Sequence, residues 1–434
     1  MLEQILAAGR VPTSAHLTVT GSGDLPSAFP VTEFAVATVG AAGLAVADLV
    51  GVSEATVDRR LASMWFGMSL RPDGWAPPPP WDPIAGDYRT ADGWIRLHTN
   101  ASAHRAAALR VLGVPADRDE VAAAVARLRG DELEDAVAAA GGCAAVMRTA
   151  DVWAAGEPGR SVQAEPLIDW STSSAAPLHL PGEPGRPLAG LRVLDLTRVL
   201  AGPVATRFLA LLGADVLRID PPWWDEPGVI PEVMLGKRTA RLDLTTQPLV
   251  DLLAGADVLV HGYRPGALDR LGLDAATRHR VSAGLIDVSL DAYGWTGPWR
   301  DRRGFDSLVQ MSTGIAEAGM RLLHRDVPTP LPVQALDHGT GYLMAFAVLQ
   351  GVAHRLATGI GSTARLSLAR TAALLVGPPA EGSLEPESAA DVAPAVEHTS
   401  WGPARRLVVP VSVDGVRLEA RRPARALGSD EATW

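Results

Sequence analysis

The feature that most constrains the fold is an alternation of short apolar runs and glycine-containing turns in the second half of the chain. Leu191 to Leu196 and Asp215 to Ile219 are typical of short buried strands. The residues between them predict a turn from Thr197 to Pro203 and a helix from Val204 to Leu212. Strand, turn, helix and strand in this order predict a parallel sheet with right-handed crossovers.

Two further apolar runs extend this pattern. Ala256 to Val260 and Gly284 to Ser289 are each followed by a loop that contains glycine and proline. A long, mostly apolar helix is then predicted from Asp337 to Leu356. Because ligands of such sheets bind beyond the carboxyl ends of the strands, we expect the functional site at these loops.

Composition excludes several classes of protein. A chain of 434 residues with 47% hydrophobic residues can bury a large core, and a net charge of −10 argues against binding of DNA or RNA. The single cysteine, Cys143, cannot form an internal disulfide and is expected to be buried. Phe34 to Val52 would be a weak membrane span, and Met1 to Arg10 lacks the pattern of a signal peptide. We therefore expect a cytoplasmic protein that binds neither nucleic acid nor membrane.

The first half of the chain has a different pattern of predicted helices and strands. An extended segment from Tyr88 to His98, with a turn at Asp92-Gly93, precedes alanine-rich helices and predicts a small α+β domain. The helices are predicted at Ala101 to Leu112, Asp117 to Arg129 and Asp131 to Ala140. Candidate linkers or surface loops are Pro77 to Pro80, Ser171 to Pro187 and Gly377 to Pro394.

Two segments of the chain resemble each other. Phe29 to Val50 and Leu331 to Val352 both begin with an apolar residue, proline and valine and continue as an apolar helix. In this register Asp337 and His338 align with two apolar residues, Ala35 and Val36. Either the chain contains an internal repeat, with any chemistry in the later copy, or two amphipathic helices simply look alike.

Residues 187–214, PLAGLRVLDLTRVLAGPVATRFLALLGA, resemble the opening of the class III CoA-transferase family. This family includes formyl-CoA transferases, carnitine CoA-transferases and α-methylacyl-CoA racemases. Later blocks follow in the family's order, at Gly236 to Thr245, Ala256 to Leu273, Tyr293 to Gln310 and Leu336 to Leu368. The resemblance implies an α/β fold with an open, mostly parallel Rossmann-like sheet and helices on both faces.

The order of the blocks departs from the family, whose small domain follows them. Residues 29–170 resemble that small domain and the helix before it, so the chain resembles a fusion of two partial copies. The predicted units are a partial, degenerate copy with the small α+β domain (1–170), a linker (171–187), a CoA-binding Rossmann-like domain (188–376), and a linker with a C-terminal return segment (377–434).

The turn after the first strand carries the predicted CoA contacts. Arg198 and backbone amides at a helix N-terminus suit an anion, although a helix beginning after Gly-Pro is also ordinary structure. The resemblance implies CoA contacts at Val199, Leu200 and Ala201, with Leu200 in the place of a glutamine that some members use. The other candidate CoA contacts are Lys237, Arg238, Leu242, in the strand predicted from Arg241 to Leu244, and Arg270. For Lys237 and Arg238, solvent-facing charge is an equal alternative.

The family's transferases use an aspartate nucleophile that forms an anhydride and then an aspartyl-CoA thioester. The resemblance points to Asp326, in the turn before the last long helix, although Val327 stands where the family has glycine and an exposed loop aspartate is an alternative. The racemases use a histidine and an aspartate as paired bases. Their aspartate corresponds to Asp337, which we also take as a catalytic candidate, but Phe305 replaces their histidine.

The predicted activity is transfer of CoA between an acyl-CoA and a carboxylic acid, with acyl-CoA as substrate and without a metal. Alternatives are an acyl-CoA racemase or epimerase and a non-catalytic CoA-binding or assembly subunit, and either a homodimer or a monomer is compatible with the fusion. His98 and His104 stand alone and are expected to be surface or packing residues. His338 is expected to point away from Asp337, because adjacent helical residues differ by about 100°. Trp223 and Trp224 follow a strand and are candidates for loop packing or for an acyl pocket.

Overall fold

The structure is a computed structural model that describes residues 1–246, 249–377 and 382–434. In chain order its strands are β1 (His16–Thr20), β2 (Glu54–Asp58), β3 (Leu70–Pro72), β4 (Gly86–Arg89), β5 (Trp94–Leu97), β6 (Ala144–Val146), β7 (Asp169–Ala175), β8 (Arg192–Leu196), β9 (Asp215–Asp220), β10 (Arg238–Arg241), β11 (Val258–His261), β12 (Ile286–Asp291), β13 (Ile360–Ser367), β14 (Glu397–Thr399), β15 (Gly402–Arg406) and β16 (Val411–Val413). Its helices are α1 (Leu2–Ala7), α2 (Val31–Val50), α3 (Arg59–Trp65), α4 (Ser102–Leu112), α5 (Arg118–Val125), α6 (Gly130–Ala139), α7 (Ala150–Ala155), α8 (Glu157–Ala164), α9 (Ala201–Leu211), α10 (Ile230–Val233), α11 (Val250–Ala254), α12 (Ala275–Val281), α13 (Asp306–Ser312), α14 (Ile315–Leu322), α15 (Ala335–Thr358) and α16 (Leu368–Ala372).

The second half of the chain forms a sheet with the order β10-β9-β8-β11-β12-β13-β7. Neighbours from β10 to β13 are parallel, and β7 is antiparallel to β13. Numbered from β8, the parallel strands follow the doubly wound order 3-2-1-4-5-6. The expected open, mostly parallel sheet is confirmed, and the order in which its strands are added reverses between β8 and β11.

The central strands are apolar on both faces, as a sheet covered on both sides requires. Val193 of β8 and Val258 of β11 pack into the larger core with α2, α9 and α15. Leu194 and Leu259, the next residues of the same strands, pack into a second core beneath α11. Helices therefore cover both faces, as predicted.

Three predicted boundaries differ from the structure. The segment Ser171 to Pro187 is predicted as a linker, but it begins inside β7. Most residues of β7 are polar because the strand lies at an exposed edge of the sheet, and its backbone pairing with β13 holds it in place. The strand predicted from Arg241 to Leu244 is β10, which ends at Arg241 where its pairing with β9 ends. Helix α9 begins at Ala201 rather than Val204, because proline is well tolerated in the first turn of a helix.

The small α+β domain forms as predicted. Strands β4, β5 and β6 make an antiparallel sheet, and α4, α5 and α6 lie close to the predicted helices. Its core contains Ile84, Tyr88, Ile95, Val121 and Val137. This domain has an apolar core of its own.

The two helices of the proposed repeat pack against each other at the centre of the molecule. Helix α2 leads to β2 and α3, and α15 leads to β13 and α16. The side chains of Asp58 and Ser367 cap the short helices that follow the two strands. These likenesses agree with an internal repeat, while a fusion of two partial copies remains a prediction. Helix α2 is long and apolar enough to cross a membrane by length and composition, and 78% of its most apolar window is buried in the fold.

The C-terminal segment returns to the first half of the chain. Strand β15 pairs with β3, and β16 pairs with β2. The linker predicted from Gly377 to Pro394 lies partly outside the described residues, and its later part contains a 3₁₀ turn at Ala389–Asp391 whose Asp391 pairs with Arg60.

A buried ionic cluster joins distant parts of the chain. The Glu232 carboxylate pairs with Arg207 of α9 and, at 3.1 Å, with Arg406 of β15. It also accepts hydrogen bonds from the Ser69 hydroxyl at 2.7 Å and the Leu70 amide at 2.9 Å. Burial opposes ionisation, but the two guanidinium groups and the hydrogen bonds outweigh it and lower the pKa of Glu232 to about 2.

Candidate active site

A cavity of about 450 Å³ opens where the strand order of the large sheet reverses, between β8 and β11. Its walls come from the loops after β8, β11 and β12, from the start of α15 and from α4 of the small domain. This is the place at which doubly wound sheets bind their ligands. The sequence-based expectation of a site at these loops agrees with the position of the cavity.

The turn after β8 forms one wall. Arg198, Val199 and Ala201 line the cavity, whereas Leu200 packs into an apolar cluster with Ile230 and Met234. Val199 has a φ of 66°, which is rare for a β-branched residue. Such strain persists where surrounding contacts hold it, and it is common at functional sites.

The surroundings of this turn are charged and aromatic. The Arg198 guanidinium lies 4.7 Å from the ring centre of Trp224 and 5.6 Å from that of Tyr263. Stacking leaves its outward N–H groups available for an anion. The Val199 amide donates to the Glu226 carboxylate at 2.8 Å, so an anion already lies against this turn. Trp224 lines the cavity, as one of the two sequence alternatives has it, but Trp223 is 69% exposed.

Besides Leu200, four predicted CoA contacts lie outside this cavity. The fully buried Lys237 ammonium is 3.1 Å from Asp195 and 2.9 Å from the Pro203 carbonyl oxygen, so it is a structural cation, and burial lowers its pKa to about 8. Arg238 pairs with Asp215 in a cleft at the opposite edge of the sheet. The expectations for both residues are corrected, because each charge already has a partner within the fold.

The remaining two residues have different surroundings. Leu242 follows β10 and packs against the second core, so it is corrected from a ligand contact to a packing residue. Arg270 lines a neighbouring groove that shares Tyr263 and Arg264 with the cavity. Its predicted role in binding CoA thus stays a prediction, at a position continuous with the cavity.

Asp337 is the carboxylate that the fold brings to the site. It lies in the first turn of α15, lines the cavity and is 7% exposed. Its backbone amide donates to Asp306 at 2.9 Å, but among the described residues no donor is bonded to its own carboxyl group. Burial and the neighbouring carboxylates of Asp306 and Glu226 raise its pKa well above the ordinary value.

Asp306 positions this aspartate. It is fully buried and accepts hydrogen bonds from the Asp337 amide and the Gln310 side chain. Gln310 in turn accepts the Leu331 amide at 2.7 Å, which ties the loop before α15 to α13. The expectation that Asp306 has a structural or site-shaping role agrees with these contacts.

Asp326 does not reach the cavity. It is exposed in the loop between α14 and α15, and it is absent from the cavity walls. The connection from α14 turns outward at His324, which has a φ of 52°, and the chain becomes buried again at Pro328 and then at Leu331. The assignment of Asp326 as the nucleophile is therefore corrected by its position, and Asp337 is the catalytic candidate that remains.

His338, the neighbour of Asp337, points elsewhere. Its ring stacks on Phe66 with the ring centres 5.3 Å apart, and burial lowers its pKa to about 3. The expected divergence of the two adjacent side chains is confirmed.

Two histidines of the small domain meet Phe305. His98 is buried and stacks on Phe305 with the ring centres 3.7 Å apart, as its predicted packing role requires. His104 lies 5.9 Å from the same ring, which agrees with a packing role, and it also lines the cavity. No local pattern in the sequence indicated this, because His104 lies about 230 residues before Asp337 in the chain.

A second buried carboxyl group, that of Asp291, also lines the cavity at the end of β12. One of its oxygens accepts the Gly294 amide at 2.8 Å, and the other is buried without a partner among the described residues. Burial raises the pKa of Asp291 well above the ordinary value. Its position after a predicted strand is the one signal that the sequence contained.

Arginines give the cavity a positive wall. Arg302 pairs with Glu134 of the small domain, but Arg264 and Arg303 form no salt bridge within the described residues. Arg264 donates to the Asp301 carbonyl oxygen at 2.9 Å, and Arg303 donates to the Gly141 carbonyl oxygen at 3.4 Å. Two guanidinium groups without carboxylate partners indicate an anionic ligand. In the parts of the chain that the structure describes, no group of three or more metal-ligating side chains occurs.

Together, the fold and the cavity define a class of protein. It is a doubly wound α/β protein with a cavity where the strand order reverses, and this cavity has a positively charged wall and a buried carboxyl group. The sequence profile of CoA-transferase family III matches residues 188–430, more than half of the chain. The chain belongs to this family, and the resemblance seen in the sequence is confirmed.

Individual relatives cover smaller parts. The chain is 30% identical over 304 residues to an acyl-CoA transferase of Gibberella moniliformis, which covers 63% of this chain and 53% of the relative. It is 33% identical over 209 residues to a probable fatty acyl-CoA transferase of Mycobacterium tuberculosis, covering 43% and 51%, and 32% identical over 195 residues to the succinyl-CoA:glutarate CoA-transferase of Mus musculus, covering 41% and 44%. The chain thus spans about half the length of the curated relatives it matches. A crystal structure of the M. tuberculosis protein aligns with a TM-score of 0.41 at 30% identity, over 44% of this chain and 58% of that one.

Proposed function

We propose that the chain is an acyl-CoA:carboxylate CoA-transferase whose nucleophile is Asp337. The observation that carries this proposal is a buried carboxyl group that has no hydrogen-bond partner among the described residues and lies in a cavity with a positive wall. A structural carboxylate in such a place would be paired, because an unpaired buried polar group costs free energy. The family, and relatives named as CoA-transferases, agree with this chemistry.

CoA binding follows from the charges around the cavity. Arg198, with the Ala201 end of α9, lies on the wall that favours the diphosphate, and Arg264 and Arg303 add positive charge to the part of the cavity next to His104. The neighbouring groove carries Arg270 and shares Arg264 with the cavity. CoA would lie along the groove with its thioester in the cavity, beside Asp337.

The reaction proceeds by exchange at two carbonyl carbons. An Asp337 carboxylate oxygen attacks the thioester carbonyl, the C–S bond breaks, and CoA leaves as a thiolate from a mixed anhydride. The thiolate then attacks the Asp337 carbonyl carbon and releases the donor acid as a carboxylate, which leaves an aspartyl-CoA thioester. An acceptor carboxylate attacks the carbonyl carbon of this thioester, the C–S bond breaks, and CoA leaves as a thiolate from a second mixed anhydride. The thiolate then attacks the carbonyl carbon of the acceptor, and the Asp337 carboxylate leaves, which forms the new acyl-CoA and restores Asp337.

The environment of Asp337 suits these steps. Its raised pKa makes the ionised form a strong base, and therefore a better nucleophile once it is formed. Positive charge brought near by the arginines stabilises the carboxylate when substrate enters. The apolar residues Leu290 and Leu368 complete the wall and limit access of water, which would hydrolyse the anhydride.

The proposal is tested by intact-mass analysis of the protein mixed with acetyl-, succinyl- and long-chain acyl-CoAs, with hydroxylamine added to trap acyl intermediates. Wild type is expected to form a covalent adduct with at least one donor, and Asp337→Asn is expected to form none. Asp326→Asn is the matched control and should form as much adduct as wild type. Adduct in Asp337→Asn, or no adduct with any donor while CoA binds, would overturn the proposal and leave a racemase-like or non-catalytic role.

A further inference from the structure

His104 reaches the cavity from outside the large sheet. It is the third residue of α4 in the small domain, and its ring lies 5.9 Å from that of Phe305. Phe305 directly precedes Asp306, whose carboxylate accepts the Asp337 amide at 2.9 Å. Contacts through Phe305 and Asp306 thus connect the histidine to the backbone of the proposed nucleophile, and both residues line the cavity.

The two ring nitrogens of His104 have different surroundings. Nδ1 is buried and has no hydrogen-bond partner among the described residues. Nε2 is not one of the buried atoms that lack a partner. An N–H group buried without an acceptor is rarer and more costly than an unpaired acceptor. The proton of the neutral ring therefore belongs on Nε2, which makes this atom the donor of a ring that lines the cavity.

The charge state of the ring is set by its surroundings. Burial is the largest effect, and the guanidinium groups of Arg303 and Arg264 add to it, so the pKa of His104 falls to about 4. The imidazole thus stays neutral at physiological pH. It has one N–H group to offer and does not act as an acid that must first be protonated.

We propose that His104 donates its Nε2–H to the carbonyl oxygen of the bound acyl-CoA. The inference rests on the proposed function, because it assigns a role within the same cavity. When the Asp337 oxygen attacks the carbonyl carbon, the π-electron pair moves to the carbonyl oxygen, and a fixed donor stabilises that developing charge. No proton is transferred. The hydrogen bond from Nε2 strengthens as negative charge grows on the carbonyl oxygen and weakens again when the C–S bond breaks. The small domain would then complete the catalytic site.

A second donor on the wall makes the assignment testable. The indole N–H of Trp224 is also buried without a partner among the described residues, and the Trp224 ring stacks on Arg198. A donor there would meet the phosphate side of the ligand. Trp224→Phe therefore serves as the competing variant.

The test compares two analogues that cannot be transferred: the ketone in which methylene replaces the thioester sulfur of acetyl-CoA, and the alkyl analogue without the carbonyl group. Calorimetry should show that wild type prefers the ketone roughly three- to tenfold, as one neutral hydrogen bond predicts. His104→Leu should lose this preference and His104→Gln should keep most of it, because the glutamine amide can place an N–H near the position of Nε2. The preference of wild type should stay constant between about pH 6 and pH 8.

Each outcome has one meaning. A preference that persists in His104→Leu, or that is lost in Trp224→Phe instead, would overturn the role of His104 while leaving the proposed transferase intact. Failure of wild type to bind either analogue would overturn the proposed function and, with it, the role of His104. Where acyl transfer is measurable, His104→Leu should lower kcat about 10²-fold with little change in the Kd for CoA. Thermal melting of both variants shows whether they are folded.

Discussion

The segments α2-β2-α3 and α15-β13-α16 have the same order of elements, and their two long helices pack together, yet they differ in chemistry. At the register of Asp337 and His338, α2 carries the buried residues Ala35 and Val36. Both short helices keep a side-chain cap. The comparison shows that a helix, strand and capped turn supply a scaffold, and that a single acid at the start of one helix separates a packing element from a candidate site.

The largest expected effect comes from giving α15 the residue type of α2. Asp337→Ala should lower CoA transfer at least about 10³-fold, because it removes the proposed nucleophile. Its stability should be unchanged or higher by up to about 2 kcal/mol, since an unpaired buried carboxyl group is removed. Chromatography of the CoA esters and thermal denaturation measure the two quantities. If turnover were retained and stability fell, Asp337 would be a packing residue, like the residue at the same register of α2.

The cluster at Glu232 tests how the chain that follows α3, at Ser69 and Leu70, is held to α9 and β15. Glu232→Gln should lower the free energy of unfolding by about 3–5 kcal/mol, because it leaves the buried Arg207 without its counter-charge. The folded pKa of Glu232 is about 2, below the ordinary value, so its stabilisation is present above the unfolded pKa and is lost as pH falls through about 2.

Urea titrations of wild type and Glu232→Gln over a range of pH measure this effect. The stability difference should be constant near neutral pH and shrink in acid. A difference that grows as the pH falls would contradict the sign of the argument. Glu387→Gln, at an exposed pair with Arg71, is a matched control with an expected change within about 0.5 kcal/mol.

The contact between the two long helices is tight at one glycine. A Cβ atom at Gly339 would overlap the ring of Phe34 on α2, only two residues after Asp337. Gly339→Ala should therefore destabilise the fold by about 1–3 kcal/mol through overpacking, despite the higher helix propensity of alanine. Denaturant unfolding measures this change. The double variant Gly339→Ala, Phe34→Leu should recover part of it, and an increase in stability of the single variant would show that the helices are less closely packed.

The two caps form a matched pair. Asp58 accepts the Leu61 amide at the start of α3, and Ser367 accepts the Arg370 amide at the start of α16. Asp58→Ala and Ser367→Ala should each cost about 1 kcal/mol of unfolding free energy. Equal losses in thermal melts would support a common scaffold. A loss at one position alone would show that the two segments are held differently.

The smallest expected effect is at the loop aspartate. Asp326→Asn should leave CoA transfer unchanged and alter stability by less than about 0.5 kcal/mol, because the side chain is exposed and outside the cavity. Steady-state kinetics with saturating acyl-CoA measure the effect. A tenfold loss of turnover would return Asp326 to the catalytic site.

The sequence was sufficient to predict elements whose pattern is local. The periodicity of Leu191 to Leu196 and of the later strands predicts the parallel sheet, and the alternation of elements places the site at their ends. The small domain follows from the turn at Asp92-Gly93 and the helices after it. These features depend on residues close together in the chain.

Long-range pairing set the limits of prediction. Lys237 has the appearance of a ligand contact, because nothing nearby in the sequence shows that Asp195 lies beside it in the fold. His104 reaches the cavity only because the small domain packs against Phe305. Asp326 and Asp337 are 11 residues apart in the chain, and the packing of Leu331 and Gln310 decides which of them faces the cavity.

The most direct test of the central claim, that Asp337 carries the acyl group, is peptide mapping of the protein after turnover in hydroxylamine. The account predicts a hydroxamate at Asp337 that requires an acyl-CoA donor and is absent from the peptide containing Asp326. A donor-dependent hydroxamate at Asp326 or Asp291, with Asp337 unmodified, would contradict it.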